Sequence, residues 1–295
     1  MSDSAIRYFV FDVETVADGE LVSKLRFPGE GLAPAEAIAR FRQELVEKYQ
    51  SDFIPYTYQL PVSVAVAKVT ADFRLIDVVV LDAPEYRPHV ITQLFWRGWQ
   101  AYRHPTLVTY NGRTFDVPLL ELAAFRFGLS LPDWFDSAGG RAYQQPRNRY
   151  NSETHLDLLE LLTNFGASRF SGGLNLAANL LGKPGKMDIE GFMVQDLYNE
   201  GRLEEINDYC RCDVLDTYFV FLRSRVLTGR LDLETEQQII ADTKDWLQQQ
   251  AEGVSAYGIY LDRWGDWQNP WIAAAAATED APATADAGDT GMGHS

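Results

Sequence analysis

The apolar positions of this chain change period several times, and each change marks an element. Tyr8-Phe9-Val10-Phe11 is a continuous apolar, β-prone run, so residues 5–15 read as a first, buried strand. Residues 16–60 then break the pattern, with Gly19, Pro28, Gly29, Gly31 and Pro34 around one helical segment. In that segment Ile38, Phe41, Leu45 and Tyr49 recur at helix spacing, and Pro34 suits its start. Residues 62–70 and 74–82 predict two strands joined as a hairpin through Ala71-Asp72-Phe73. Residues 88–103 carry a helical apolar stripe of Val90, Leu94 and the tryptophans. Leu107 to Tyr110 is a fourth short strand, and Phe115 to about Phe127 a helix. His155 to Leu159 reads as a fifth strand or a strand-to-helix passage. Helices are expected over roughly 173–181, 191–199, 202–226 and 235–250. Three early strands, followed by strands alternating with helices, predict an α/β fold with a mixed sheet. No internal repeat is present, and from Ala273 onward the Ala, Thr, Asp and Gly composition reads as disordered.

The first strand ends on Asp12-Val13-Glu14-Thr15. Residues i and i+2 of a strand share a face, so Asp12 and Glu14 project together from a buried element. Two like charges held that close repel, and a divalent cation or a shared proton would offset the cost. Asp116 follows in Tyr110-Asn111-Gly112-Arg113-Thr114-Phe115-Asp116, at a strand-to-helix transition where open sheets place their sites. On a later helix, Tyr209 and Asp213 are i and i+4 and share a face. Four carboxylates from three segments suit a pair of oxygen-loving ions. The four His are scattered and Cys210-x-Cys212 has the wrong helical spacing, so no zinc site competes. No Walker loop and no nucleophile elbow is present.

Charge modifies this picture. The net charge of −16 excludes a protein that grips long duplex through a broad basic face. The last 25 residues hold Glu279, Asp280, Asp286 and Asp289 and no base, which leaves −12 on the rest. A short strand end held in a local groove is still compatible. The segment Ser137–Ser152 interleaves Arg141, Arg147 and Arg149 with Tyr143 and Tyr150 and carries no acid, a pattern suited to phosphates and stacked bases. Lys183-Pro184-Gly185-Lys186 is a smaller basic turn. Trp264, Trp267 and Trp271 could share one helical face, although Gly265 and Pro270 oppose a helix there; packing on the body is favoured over a docking site for a protein partner or a base-stacking platform. No apolar run approaches the ~20 residues of a membrane span, and Met-Ser-Asp-Ser has no secretory character. With no disulfide expected, a reducing, cytoplasmic setting is the expectation.

Three motifs now stand in order. Phe11-Asp12-Val13-Glu14-Thr15 resembles the first exonuclease motif of the DEDD proofreading superfamily. Asn111-Gly112-Arg113-Thr114-Phe115-Asp116 is similar to the second, and Tyr209-x-x-x-Asp213 to the third in its tyrosine variant, since Asp208 stands where the other variant has His. Over roughly residues 5–226 the chain resembles the stand-alone 3′–5′ exonucleases related to the proofreading domain of B-family DNA polymerases. The resemblance implies a ribonuclease H-like fold with a mixed five-stranded sheet and flanking helices. It also implies two divalent ions, Mg²⁺ or Mn²⁺, and release of 5′-mononucleotides from a 3′ end. Asp12, Glu14 and Asp213 would bind one ion, Asp12 would bridge to the second, Asp116 would hold the second, and Tyr209 would orient the attacking water. Asn111 and Phe115 would touch the terminal nucleotide, although a core role is favoured for Phe115; Thr15, beside Glu14, could contact a terminal sugar or phosphate or simply end the strand. Arg141, Arg147 and Arg149 are the candidate strand contacts; His155 and Asp157 could support the site, with structural roles favoured for both. The expected arrangement is an exonuclease domain over 1–262, with 16–60 as an insertion beside the site, and a Trp-containing extension with its tail over 263–295. The leading expectation is cleavage of single-stranded DNA ends. The alternatives are an RNA-trimming exonuclease and a non-catalytic binding module on the same fold; a proofreading subunit acting beside a separate polymerase is a further possibility.

Overall fold

The computed structural model describes residues 5–136, 141–185 and 191–271. The expected disordered tail, Lys186 and part of the Ser137–Ser152 segment lie outside them. The sheet has five strands in the order β3-β2-β1-β4-β5, formed by β1 (Ile6–Ala17), β2 (Gln59–Thr70), β3 (Leu75–Val80), β4 (Thr106–Thr109) and β5 (His155–Asp157). β1 runs antiparallel to β2 and parallel to β4, and β4 is parallel to β5. This is the mixed α/β architecture expected for a ribonuclease H-like exonuclease.

β1 occupies the centre because both of its faces are apolar. Phe9, Val10, Phe11 and Val13 are all buried, as a strand covered on two sides requires. On one face Phe11 packs on Phe95 of α3 (Pro88–Ala101), with ring centres 4.8 Å apart. On the other, Tyr8 meets Phe221 of α8 (Leu203–Leu227) at 5.0 Å. Alternation therefore aims Tyr8, Asp12 and Glu14 toward α8. That helix is buried almost all round, with Tyr209, Val214, Tyr218, Phe219 and Leu222 in the core. Its amphipathic signal is correspondingly weak.

The segment after β1 folds into two helices, where the sequence suggests only one. They are α1 (Gly19–Arg26) and α2 (Pro34–Tyr49), which share their own apolar cluster of Val22, Phe27, Ile38, Phe41, Leu45 and Ile54. Asp18 caps α1 through the Leu21 amide, at 3.1 Å, and binds Arg126 of α4 (Asp116–Phe127) at 2.5 Å. This anchors the insertion beside the sheet end that carries Glu14. Three short helices follow: α5 (Leu158–Thr163), α6 (Gly173–Asn179) and α7 (Val194–Asn199). Beyond α8 lie α9 (Leu233–Gln250) and α10 (Ser255–Asp262).

The chain divides into two compact units, Met1–Gly265 and Asp266–Ser295. Trp264, in the first, packs edge-on against Phe219 at 5.2 Å and beneath the Lys183 ammonium at 3.9 Å. Trp267 and Trp271 belong to the second. The backbone over 264–269 is not helical, so the three tryptophans do not share a helix face. Among the described residues, no helix is long and apolar enough to cross a membrane.

Candidate active site

Strand alternation and helix α8 build the first half of the site. Asp12 pairs with Ala65 and Glu14 with Ser63 across β1 and β2, and a register shift follows Glu14. The Cys210 thiol reaches the pair from α8, donating to the Asp12 carbonyl at 3.4 Å and lying 3.9 Å from its Oδ2. Ligand atoms of Asp12, Glu14 and Cys210 all fall within 4.8 Å of one another. Tyr209 stands beside Asp213, close enough to hydrogen-bond its carboxylate, and both lie near Glu14.

The second half is a turn held by one buried acid. Asp157, at the end of β5, accepts the amides of Asn111 (3.1 Å) and Arg113 (2.9 Å). Its Oδ1 also accepts the Leu159 and Glu160 amides at the start of α5. Four amides on one carboxylate pin β4, β5 and the turn together. Asn111 takes the left-handed conformation, φ 67°, which Asn tolerates. Gly112 is required by contact: a Cβ there would sit 2.5 Å from the Asp116 Oδ2 and 2.5 Å from the Thr109 Cβ. The turn thus delivers buried Asp116 at the first position of α4.

Together these elements wall a cavity of about 570 Å³ lined by Asp12, Glu14, Asp116, Asp213, Asn111 and Phe115. The insertion contributes Phe53, Pro55 and Tyr56 to the same lining. The electrostatics are those of crowded buried acids. Desolvation pushes Asp12 up to about 6, while Glu14 donates a hydrogen bond that moderates the shift. Glu14 lies well above the ordinary range, from burial first and then from Asp12 and Asp213. Burial, and then Asp12 and Asp157, raise Asp116 likewise. Burial and the hydrogen bond between them favour a proton on the β1 pair when no cation is bound. This donor set, hard oxygen ligands short of positive charge, fits divalent ions of the Mg²⁺ or Mn²⁺ class. Burial beside Asp12 and Glu14 raises Cys210 well above the usual thiol range, so it stays a neutral donor and not a thiolate ligand.

The candidates named from sequence fall into three groups. Asp12, Glu14, Asn111, Phe115, Asp116 and Asp213 line one cavity, with Tyr209 against Asp213. Phe115 is a cavity wall and not a core ring: half-buried, it meets Phe53 of the insertion at 5.7 Å. Thr15 lines an adjoining cavity of about 270 Å³ that also contains Glu14 and Phe115, and its hydroxyl donates to Gln59. The arginines are elsewhere. Arg147 makes a two-pronged ion pair with Glu121 of α4, at 2.8 Å on each prong. Arg149 pairs with Glu160 at 2.9 Å, and Arg141 donates to Tyr143 at 3.2 Å. None of the three lines the carboxylate cavity. Their local stretch lacks acids, but acids from distant segments neutralise two of them.

Three residues of the site are not among the candidates drawn from the sequence: Cys210, Phe53 and Tyr110. For Cys210 a signal existed, since it precedes Asp213 by three on a helix and so shares its face. Tyr110 lines the cavity with a buried hydroxyl that has no partner among the described residues, and burial pushes it up to about 12.

No curated protein matches the chain significantly. A family model described as a predicted 3′–5′ exonuclease related to the exonuclease domain of PolB matches residues 51–264. With that match spanning most of the sheet and all of α8, the chain belongs to this family of exonucleases related to the PolB exonuclease domain.

Proposed function

We propose that the protein is a metal-dependent 3′–5′ exonuclease that hydrolyses the terminal phosphodiester of single-stranded DNA and releases 5′-mononucleotides. The observation that carries this reading is the convergence of Asp12, Glu14, Asp116 and Asp213 on one cavity, where burial disfavours the charges of the first three. Asp12, Glu14 and Asp213 would hold one ion, and Asp12 with Asp116 a second. Bound divalent ions would supply positive charge to the phosphate and acidify a nucleophilic water. Tyr209 cannot serve as a base at neutral pH, because burial and the Asp213 and Glu14 charges raise its phenol far above its ordinary value. It remains a hydrogen-bond donor that positions the water or the phosphate. Tyr110 offers a second unspent donor in the wall. Phe53 and Phe115 form an aromatic pair at the mouth, suited to gripping the terminal base by stacking. A wall supplied by the insertion limits the room beside the site, in keeping with a single strand end as substrate. The active domain in this reading is residues 1–262, and the setting is the cytoplasm.

The test is degradation of a 5′-labelled oligonucleotide with Mg²⁺ or Mn²⁺. Stepwise shortening from the 3′ end is expected, abolished by EDTA and by Asp213→Ala. A ladder that survives Asp213→Ala would sink the proposal, and so would binding without cleavage under either metal. The same ladder on RNA assigns the sugar, with DNA expected to be the better substrate.

A further inference from the structure

A cavity of about 360 Å³ runs along the β5 edge of the sheet, from the starts of β1 and β4 to Asp157 and Arg113. Arg7 and Thr106 reach it from the starts of β1 and β4, and Arg225 from the last turn of α8. Arg225 is twelve residues beyond Asp213, about 18 Å along the helix. Five arginines line this cavity: Arg7, Arg113, Arg149, Arg225 and Arg230. Only Glu153, Asp157 and Glu160 oppose them, so the lining carries +2 in a chain of net −16.

The acids are already engaged. Glu160 pairs with Arg113 and Arg149, Glu153 with Arg230, and Asp157 holds four backbone amides. Among the described residues, neither Arg7 nor Arg225 has a carboxylate within ion-pair distance. Arg225 is only 7% exposed. Its Nε donates to the Ser224 hydroxyl at 3.2 Å, and its guanidinium lies 5.2 Å from the Phe221 ring. Burial lowers its pKa, the mark of an under-compensated cation. A buried unpaired charge is costly, and an anion in the cavity would complete it. Two rings accompany the cations. Tyr8 lines the floor, and Phe165 stays half exposed at the rim with φ 55°, a conformation unfavourable for a bulky side chain.

We propose that this cavity binds a free nucleotide, its phosphate held by Arg225 and Arg7 and its base against Phe165. The cavity is of small-molecule size and partly enclosed, whereas strands are held in open grooves. The site also bears on the carboxylate centre. The Arg113 side chain lines it, while the Arg113 amide and the Asn111 amide share Asp157 in the turn that carries Asp116.

Calorimetric titration with 2′-deoxyadenosine 5′-monophosphate, in EDTA so that no ion recruits phosphate to the carboxylates, tests the proposal. Binding is expected, weakened about tenfold or more by Arg7→Glu and by Arg225→Lys, and unchanged by Asp213→Asn. Arg7 is exposed, so its variant stays informative if the Arg225 variant fails to fold. Inorganic phosphate should bind more weakly than the mononucleotide. Equal affinity would overturn the nucleotide assignment. So would mononucleotide binding indifferent to Arg7→Glu, or a 3′-blocked oligonucleotide that needs both arginines while the mononucleotide does not bind.

Discussion

The two carboxylates in the second half of β1 set opposite demands on stability and activity. Asp12 is pushed up to about 6 and Glu14 and Asp116 further, so the ion-free folded chain holds protons that an unfolded chain releases near pH 4. The stability those protons maintain is complete below about pH 4 and is lost as pH rises through the folded values. For Asp12 alone the loss is about 3 kcal/mol. The melting temperature in EDTA should therefore fall between pH 5 and 8. Saturating Mg²⁺ should recover it, and the gap between the two conditions should widen with pH. Glu14→Gln should flatten the EDTA profile, raise ion-free stability by about 1–3 kcal/mol, and reduce cleavage to background. A gap independent of pH would mean that the ions do not compete with protons for this pair. Tyr209→Phe removes a donor without removing a ligand. Its expected cost is about tenfold to a hundredfold in kcat with little change in metal affinity, read from Mg²⁺ titrations of activity.

At the level of elements, the turn from Asn111 to Asp116 is the most exacting part of the fold. Gly112→Ala would place a methyl group against the Asp116 carboxylate and Thr109. Activity should fall by more than tenfold while the melting temperature changes by only a few degrees, because the clash displaces a ligand and not the core. Asp157→Ala should do more damage to stability, about 2–4 kcal/mol, since four amides lose their acceptor at once. Urea unfolding separates the two variants. These elements also show what could be read in advance. β1 was legible because an uninterrupted apolar run followed by Asp12-Val13-Glu14 states both its burial and the face that carries the acids, although the strand runs on to Ala17. Helix α8 was legible from length, and the Tyr209–Asp213 spacing put both side chains on one face. α1 was not, because eight residues between turns offer too few periods. A structural role for Asp157 was legible but its partners were not, since Asn111 and Arg113 lie more than forty residues away. The arginines misled for the same reason: Glu121 and Glu160, which claim Arg147 and Arg149, belong to other helices.

For the whole molecule, the open question is how a chain of net −16 handles a polyanion. A protein that neutralises several phosphates releases as many counterions, and its affinity falls steeply with salt. Here Arg147 and Arg149 are spent on acids, and the carboxylate cavity carries no arginine or lysine in its lining. Attraction must come from divalent ions at the centre and from stacking at Phe53 and Phe115, neither of which releases many monovalent counterions. Long-range repulsion from the acidic surface acts in the opposite sense and is screened by added salt. The expected result is a shallow dependence. Between 20 and 200 mM KCl at fixed Mg²⁺, log(kcat/KM) against log[salt] should have a slope no steeper than about −2, flattening or turning positive at the low-salt end. A slope near −5 would require several more phosphate-neutralising cations than the carboxylate cavity offers. Phe53→Ala should raise KM several-fold without steepening the slope, because it removes stacking and no charge. The pair of measurements thereby separates electrostatic from aromatic capture of the strand end.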